Sequence, residues 1–407
     1  MAKKKRSQAK SASVSTDLID SFCAGAEKKF GPGATIAGSA LVNRHVGVPL
    51  PALSLEYLFS NSTLCLGASY GIAGPPSSYK SSLALELGRL LASYNSINAL
   101  SETEGGKIAD QIIESIYGSL SNRLRMRLCH SVEDAQAYLT YSLNWLMTNY
   151  PDRDQLMGLV VDSLNGADSK ETDEQMEKDG HAIRGFPVEA LLWTRWFKKY
   201  ASKLHGWPVV LIFVNHLKKN MDGQGYRHPG GDAQDFYATV YLHVNAVRNN
   251  QGQGKELTQL RMRVAKNSFG QKHREINTVF EVSPGVMRFD WEHSTADLLT
   301  LDKIRTRVKP VITVTSTSAS LTAMTRTFSC KRLGLVGVSG SELGAAVHAD
   351  QTLMSELREI LGIRVNRVWD GLMPQEIVEL APEDAPPAID EDAAELDGAD
   401  YGDSLGE

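Results

Sequence analysis

The stretch Gly71-Ile-Ala-Gly74-Pro-Pro-Ser-Ser-Tyr79-Lys80-Ser81-Ser-Leu-Ala84 limits what this chain can fold into more than any other. An apolar run over 63–72 leads into it, and a helical pattern over 82–92 follows at once. Strand, tight loop and helix form the context in which a loop wraps a phosphate, because successive amides and the helix N-terminus point at one anion. Gly74, Pro75, Pro76, Ser77, Ser78, Tyr79, Lys80, Ser81 and Ser82 are therefore the candidate nucleotide-binding residues. Lys80 would bring a mobile cation to the terminal phosphates, and Ser81 a hydroxyl to Mg²⁺. One position departs from G-x-x-x-x-G-K-[ST]: Tyr79 stands where the second glycine belongs. Its backbone must avoid the conformation that glycine alone adopts freely, or hold it under strain.

At 407 residues the chain has room for two or three domains and a large core. No apolar run approaches the roughly 20 residues of a membrane helix. The polar N-terminus does not read as a signal peptide, so the expected setting is cytoplasmic with no membrane partner. Cys23, Cys65, Cys129 and Cys330 are scattered, as expected of reduced thiols. The net charge of −5 conceals an asymmetry: residues 382–407 hold ten acidic side chains and no Lys or Arg. Subtracting those ten charges leaves +5 for the rest. A basic body with an acidic tail fits a polyanion partner with which the tail competes for the basic surface; a purely solubilising tail is the other reading.

Residues 1–15 are basic and Ser/Ala-rich, as in a disordered tail, and a helix over 16–30 stops at Gly31-Pro32-Gly33. A short helix is expected over 53–59. After the helix at 82–92, strands are expected at 96–100, 124–129, 155–161 and 209–214. Helices alternate with them at 107–117, 132–149 and 188–205. Further strands are expected at 236–247, 257–265 and 275–282, with polar or Gly-rich loops over 165–185 and 218–232. This alternation predicts an α/β fold with a mostly parallel sheet flanked by helices, its ligands at the carboxyl ends of the strands. Beyond it, 311–330 read as strands and 341–361 as helical with Ser341 as cap.

The strand ends carry the chemistry. Asp162 closes an apolar strand, where a carboxylate can hold Mg²⁺; alone, it reads equally as a turn or cap. Glu104 could polarise a water, with Glu102 as its rival beside Gly105-Gly106. Asn215-His216 could hydrogen-bond a terminal phosphate or simply form a strand-end turn.

Across residues 20–290 the chain resembles a RecA-family recombinase. The similarity runs through Ala26-Glu-Lys-Lys-Phe-Gly-Pro-Gly33, Leu53-Ser-Leu-Glu-Tyr57, Glu102-Thr-Glu104-Gly105, Val160-Val-Asp-Ser163 and Phe213-Val-Asn-His216. Its most specific segment is Gly230-Gly-Asp-Ala-Gln-Asp-Phe-Tyr-Ala-Thr-Val-Tyr-Leu242, which follows the family's second DNA loop. Lys266-Asn267 is similar to a segment whose lysine reaches ATP in the neighbouring filament subunit. The resemblance implies a RecA-like P-loop ATPase core (51–290), with an N-terminal oligomerisation region (16–50) before it. A C-terminal α+β accessory domain (291–380) and an acidic disordered tail (381–407) would follow. It implies ATP and Mg²⁺ as cofactors, Glu104, Lys80, His216 and Lys266 as catalytic residues, and Ser81 with Asp162 on the metal. His216 and Tyr79 replace the glutamine and glycine of bacterial members and resemble the UvsX-type phage recombinases. Ser268 replaces a second trans-acting lysine, and the adenine contact stays unassigned.

The family's first DNA loop falls at 167–188 and its second at 218–232. The first carries Glu171, Asp173, Glu174 and Glu177, so only Arg184, Gly185 and Phe186 look DNA-facing. In the second, Lys218, Lys219 and Arg227 suit phosphates, Tyr226 a base face, and Gly230 and Gly231 close approach of the backbone. The implied partners are single-stranded DNA, homologous duplex DNA, further copies of the chain in a helical filament, and single-strand-binding and mediator proteins. If phage-encoded, the protein would work in the host cytoplasm or nucleoid. Two alternatives stay open. A hexameric RecA-fold helicase would use a trans arginine from among Arg261, Arg263 and Arg274, and a DNA-independent P-loop kinase or regulatory ATPase would leave the Gly-rich loop without a purpose.

Overall fold

Near-continuous apolar runs make strands that can be buried on both faces, and such strands build the centre of this protein. The computed structural model describes residues 21, 24–26, 28–29, 45–108, 110–179, 188–219, 226–227, 233–252, 255–316 and 326–371. The chain begins with β1 (Val46–Pro49), α1 (Leu53–Phe59), β2 (Thr63–Cys65), β3 (Ala68–Gly74), α2 (Lys80–Ala92) and β4 (Ile97–Glu102). It continues through α3 (Asp110–Tyr117), β5 (Leu124–Leu128), α4 (Val132–Asn149), β6 (Met157–Asp162), α5 (Lys170–Asp179), α6 (Val188–Leu204) and β7 (Val209–His216). A short ribbon of β8 (Lys218–Lys219) and β9 (Tyr226–Arg227) leads to α7 (Ala233–Tyr237). Then come β10 (Val240–Gly252), β11 (Lys255–Asn267), β12 (Glu275–Ser283) and β13 (Val286–Asp290). The C-terminal part holds α8 (Trp291–Thr300), α9 (Asp302–Val308), β14 (Val314–Ser316), β15 (Thr327–Cys330) and β16 (Leu335–Ser339). It ends with α10 (Gly340–Ala349), α11 (Gln351–Leu361) and β17 (Arg367–Val368).

Among the described residues, nine strands form the main sheet in the order β13-β12-β11-β10-β3-β7-β6-β4-β5. Pairing is parallel from β10 to β5 and antiparallel from β10 to β13, so the expected α/β, mostly parallel sheet is what the chain builds. One face packs Leu83, Leu87 and Leu91 of α2 on Ile72, Leu100, Val160 and Ile212. The other packs Leu139 and Leu143 of α4, and Trp193 and Phe197 of α6, on Leu159, Leu211 and Phe213. At the centre, a Cβ on Gly71 would lie 2.2 Å from the Tyr241 ring, so only glycine fits there. Cys65, Cys129 and Cys330 are buried free thiols. Among the described residues no helix is long and apolar enough to cross a membrane.

The sequence-based elements differ from the observed ones in several places, among them the Lys218–Lys219 and Tyr226–Arg227 strands inside the expected loop 218–232. The run 63–72 is two strands broken at Gly67 (φ 69°), because β2 leaves the main sheet to pair with β1. Residues 170–179 of the expected loop are helical, started by Ser169, whose Oγ accepts from the Thr172 amide at 3.1 Å. Phe236 and Tyr237 belong to α7 and the strand starts at Val240, since Tyr237 stacks on Phe197 at 5.9 Å rather than extending. The helical pattern over 341–361 is two helices divided at Asp350. Ser339 caps the first of them, while Ser341 donates to Asp290 at 2.7 Å.

The C-terminal part packs through α8 and α11 onto α1 and shares the core on the α2 face. Two arginines fix that contact. Arg274, 3% exposed, donates to the carbonyls of Tyr57 (2.7 Å), Leu361 (2.8 Å) and Gly362 (3.1 Å). Arg358 holds the Glu56 carboxylate bidentately at 2.7 and 2.6 Å, and burial still pushes the Glu56 carboxyl up. Arg358→Ala leaves a buried carboxylate without its partner and is expected to cost about 3 kcal/mol in urea unfolding. Combining it with Glu56→Leu should recover part of that loss.

Candidate functional site

The carboxyl ends of β3, β4, β6 and β7 meet along one line of the sheet. Register sets this: Glu102 of β4 pairs with Asp162 of β6, and Gly74 of β3 with His216 of β7. At the end of β3 the chain turns sharply at Gly74, where a Cβ would lie 2.2 Å from the Val244 carbonyl oxygen and 2.5 Å from Ser78 Oγ. The loop then closes on itself, Ser78 Oγ and Lys80 Nζ both donating to the Pro75 carbonyl at 2.8 Å. Lys80 is 5% exposed; burial lowers its pKa, while the charges of Asp162 and Glu104 oppose that shift.

Tyr79 holds glycine's conformation. It sits at φ 59°, ψ 32°, left-handed, as the residue before the first turn of α2. That conformation costs a non-glycine residue about 1–2 kcal/mol. The side chain supplies the compensation. Its ring lies on Phe280 at 4.5 Å, its hydroxyl donates to Glu256 Oε1 at 2.9 Å, and Thr258 Oγ1 donates to it at 3.3 Å. A hydrogen bond to a charged acceptor contributes about 1.5–3 kcal/mol, enough to offset the strain.

The two glutamates divide their work. Glu102, 1% exposed, accepts from the Glu104 and Gly106 amides at 2.8 and 2.7 Å, and so folds the turn. Glu104 is thereby presented to the site. Its Oε1 lies 2.6 Å from His216 Nε2 and accepts from Ser163 Oγ at 2.9 Å, and Lys107 Nζ donates to its Oε2 at 3.0 Å. The His216 contact, foremost, holds the Glu104 carboxyl down at about 2. Asp162 goes the other way: burial raises it to about 6, against the Ser81 hydroxyl and the Lys80 charge. Its Oδ1 is buried and has no hydrogen-bond partner. An oxygen-only pair, this carboxylate and the Ser81 hydroxyl, fits a hard divalent cation that takes its other ligands from phosphate and water. Thr103 ties the β4 and β6 ends together: its Oγ1 donates to the Ser163 carbonyl (2.6 Å) and accepts from the Ser163 amide (2.9 Å).

Of the pair Asn215-His216, only His216 reaches the carboxylate. Asn215 is fully buried: its amide donates to Gln234 of α7, and its Oδ1 accepts from Asn165 and from the His216 amide. Gln234, Ser163 and Thr103 are site residues that sequence reading passes over. The only signal for Gln234 is its place between Gly230-Gly231 and Phe236-Tyr237. Lys266 is turned to Phe236, donating to its carbonyl beside the ring. Lys218 pairs with Arg227 and Lys219 with Tyr226 in the ribbon that leaves the end of β7. Arg184, Gly185, Phe186, Gly230 and Gly231 lie outside the described residues. Arg274 is spent on backbone carbonyls; Arg261 lies 3.7 Å from Glu275, and Arg263 contacts His273 at 3.1 Å.

No protein-family model matches the chain. It is similar to Protein RecA of Caldanaerobacter subterraneus subsp. tengcongensis, 25% identical over 270 residues, 64% of this chain and 74% of that protein. Protein RecA of Wolinella succinogenes is 26% identical over 257 residues, 61% and 69% of the two chains. Protein RecA of a Nitratiruptor species is 22% identical over 259 residues, 61% and 70%. The similarity to RecA proteins is distant and covers about three-fifths of the chain.

The Glu104 pKa is depressed in the fold, so its stabilising contribution is full above about pH 4.5 and is lost as pH falls toward about 2. Glu104→Gln should therefore be less stable than wild type at about pH 5.5, and the gap should narrow toward about pH 3. Urea unfolding of both proteins across that range checks it; a constant gap would remove the Glu104–His216 pair as the cause.

Proposed function

We propose that this chain is an ATP-dependent DNA recombinase that assembles on single-stranded DNA, pairs it with homologous duplex and exchanges strands. The observation that carries the reading is the convergence of Lys80, Ser81, Asp162, Glu104 and His216 at the ends of neighbouring parallel strands, beside a basic ribbon. The distant similarity to RecA proteins supports it. Tyr79 and His216 favour the UvsX-type branch.

In this reading the loop amides and Lys80 receive the terminal phosphates, and Ser81 and Asp162 hold Mg²⁺. A cation held by these two residues would supply charge compensation at the phosphoryl group. Glu104 is ionised throughout the neutral range and accepts a hydrogen bond from the attacking water, orienting it in line. His216 exchanges its Glu104 contact for a phosphate oxygen, and because β8 begins at Lys218, that exchange is felt in the ribbon. Lys218, Lys219 and Arg227 contact DNA phosphates and Tyr226 a base, so sequence is read by base pairing alone. Arg184, Gly185, Phe186, Gly230 and Gly231 complete that surface, and Lys266 reaches the ATP of a neighbouring subunit.

Self-association is supported at the sheet edge. Among the described residues β5 has β4 on one side only and exposes Met126 (37%) and Leu128 (49%), a template for a strand from another copy. The N-terminal region 16–50 is the segment the RecA resemblance assigns to oligomerisation. The helicase alternative is weakened because Arg274, one of its candidate fingers, is buried on three carbonyls.

Electron microscopy with single-stranded DNA and a slowly hydrolysed ATP analogue tests the proposal. Long helical filaments are expected, and closed rings would favour the helicase. Lys80→Ala should lower DNA-stimulated ATP hydrolysis about 10²-fold or more. Undiminished hydrolysis would sink the assignment of the site.

A further inference from the structure

We infer that Tyr79 is a positioning residue that makes the phosphate-binding loop and the β10–β11 hairpin move as one unit; the inference deepens the nucleotide-binding reading and rests on it for its catalytic part.

The hairpin touches both ends of the loop. At the entry, Gly74 packs against the Val244 carbonyl of β10, closely enough to exclude any side chain. At the exit, the Tyr79 hydroxyl meets Glu256 and Thr258 of β11, 177 and 179 residues away along the chain. Pro75–Ser78 hang between these two points and close on the Pro75 carbonyl. The hairpin is also partly independent of the parallel sheet. β10 pairs with β3 only over Val240–His243 and then continues to Gly252 beside β11. Glu256 lies in that overhanging part, opposite Gln251 of β10 and Val282 of β12.

Tyr79 immediately precedes Lys80, and its backbone angles set the direction in which α2 and the Lys80 side chain leave the loop. A glycine at this position would take the same angles without strain, and it would carry nothing to hold the hairpin. The phenol therefore does what the usual residue cannot. It makes the angles before Lys80 conditional on where Glu256 lies, so a displacement of the hairpin reaches the lysine and the amides beside it. Hairpin position then becomes an input to the nucleotide site.

The test uses the full chain and reads hydrogen exchange before it reads activity. Amide exchange is measured on nucleotide-free wild type, Tyr79→Phe, Glu256→Ala, Glu256→Gln and the Tyr79→Phe/Glu256→Ala double variant, with circular dichroism confirming that each is folded. Tyr79→Phe keeps the ring on Phe280 and loses only the hydroxyl. It and Glu256→Ala should speed exchange several-fold both in residues 77–82 and in residues 255–258. The double variant should exchange more slowly than the sum of the two single effects would give, since both remove the Tyr79–Glu256 contact. Glu256→Gln keeps an acceptor oxygen and should recover most of the protection. Unchanged exchange in the loop, or additive effects in the double variant, would overturn the inference. ATP turnover of the same proteins then separates the two readings. About tenfold lower kcat with KM changed less than threefold is expected for Tyr79→Phe, because the loop amides remain to bind phosphate. Coupled exchange in a wild type that neither binds nor hydrolyses ATP would overturn the nucleotide reading while the mechanical link stood. A wild-type kcat in Tyr79→Phe would overturn the positioning role.

Discussion

The register of four parallel strands is the constraint on which the candidate site depends. Glu102 lies opposite Asp162, and Gly74 opposite His216, so the loop, the buried carboxylate, the half-buried one and the histidine emerge side by side. Side chains alternate along a strand, so a slip of one residue would send each of these groups to the opposite face. The apolar strand interiors forbid such a slip. Leu159, Val161, Leu211 and Phe213 face the α4 and α6 layer, while Val160, Ile212 and Val214 face the α2 layer. The packing of two hydrophobic faces thus fixes the relative placement of polar groups at the rim.

That rim holds two carboxylates that the same sheet pushes in opposite directions. Asp162 is buried with one unpartnered oxygen and rises to about 6. Glu104, beside His216, Lys107 and Ser163, falls to about 2. Desolvation dominates the first and hydrogen bonding the second, which separates the roles the two groups can play. Near neutrality Glu104 is an acceptor that does not take up a proton. Asp162 is a carboxylate whose buried charge is under-compensated, and a cation would stabilise it. Burial lowers Lys80 while the charges of both carboxylates raise it, and Lys80 in turn lowers Asp162, so removing either carboxylate's charge shifts Lys80.

Much of this was legible in the sequence, for a physical reason. Apolar runs such as 209–214 tolerate burial on both faces, and the polar residue that ends such a run is forced to the rim. Asp162, Glu104 and His216 are readable on that ground. What was not legible depends on contacts distant in sequence. Nothing local distinguishes the roles of Glu102 and Glu104; the Glu104 and Gly106 amides do, by occupying the Glu102 carboxylate. Aromatic, strand-favouring Phe236-Tyr237 becomes helical because the Tyr237 ring finds Phe197. The apolar spacing over 341–361 runs unbroken in the sequence, yet Asp350 interrupts the helix and caps the next one. Asn215 suggested a phosphate contact by position, but Gln234 and Asn165 had already claimed its side chain.

Tyr79 shows how far such a distant contact can reach. Its left-handed angles cost about 1–2 kcal/mol, and the Glu256 hydrogen bond returns about 1.5–3 kcal/mol. The two magnitudes are close, so the loop conformation is favourable while the hairpin is in place and marginal without it. A glycine loop has no such dependence, because its angles cost nothing wherever the hairpin lies. On the other side of the site, His216 is joined to Glu104 by its ring and through Leu217 to the Lys218–Arg227 ribbon. Two segments that extend beyond the parallel strands, the ribbon and the far part of the hairpin, are therefore each tied to the rim by one side chain. Whatever occupies the loop must act against both ties. The residue that departs from the motif, Tyr79, is the one that attaches the second of them.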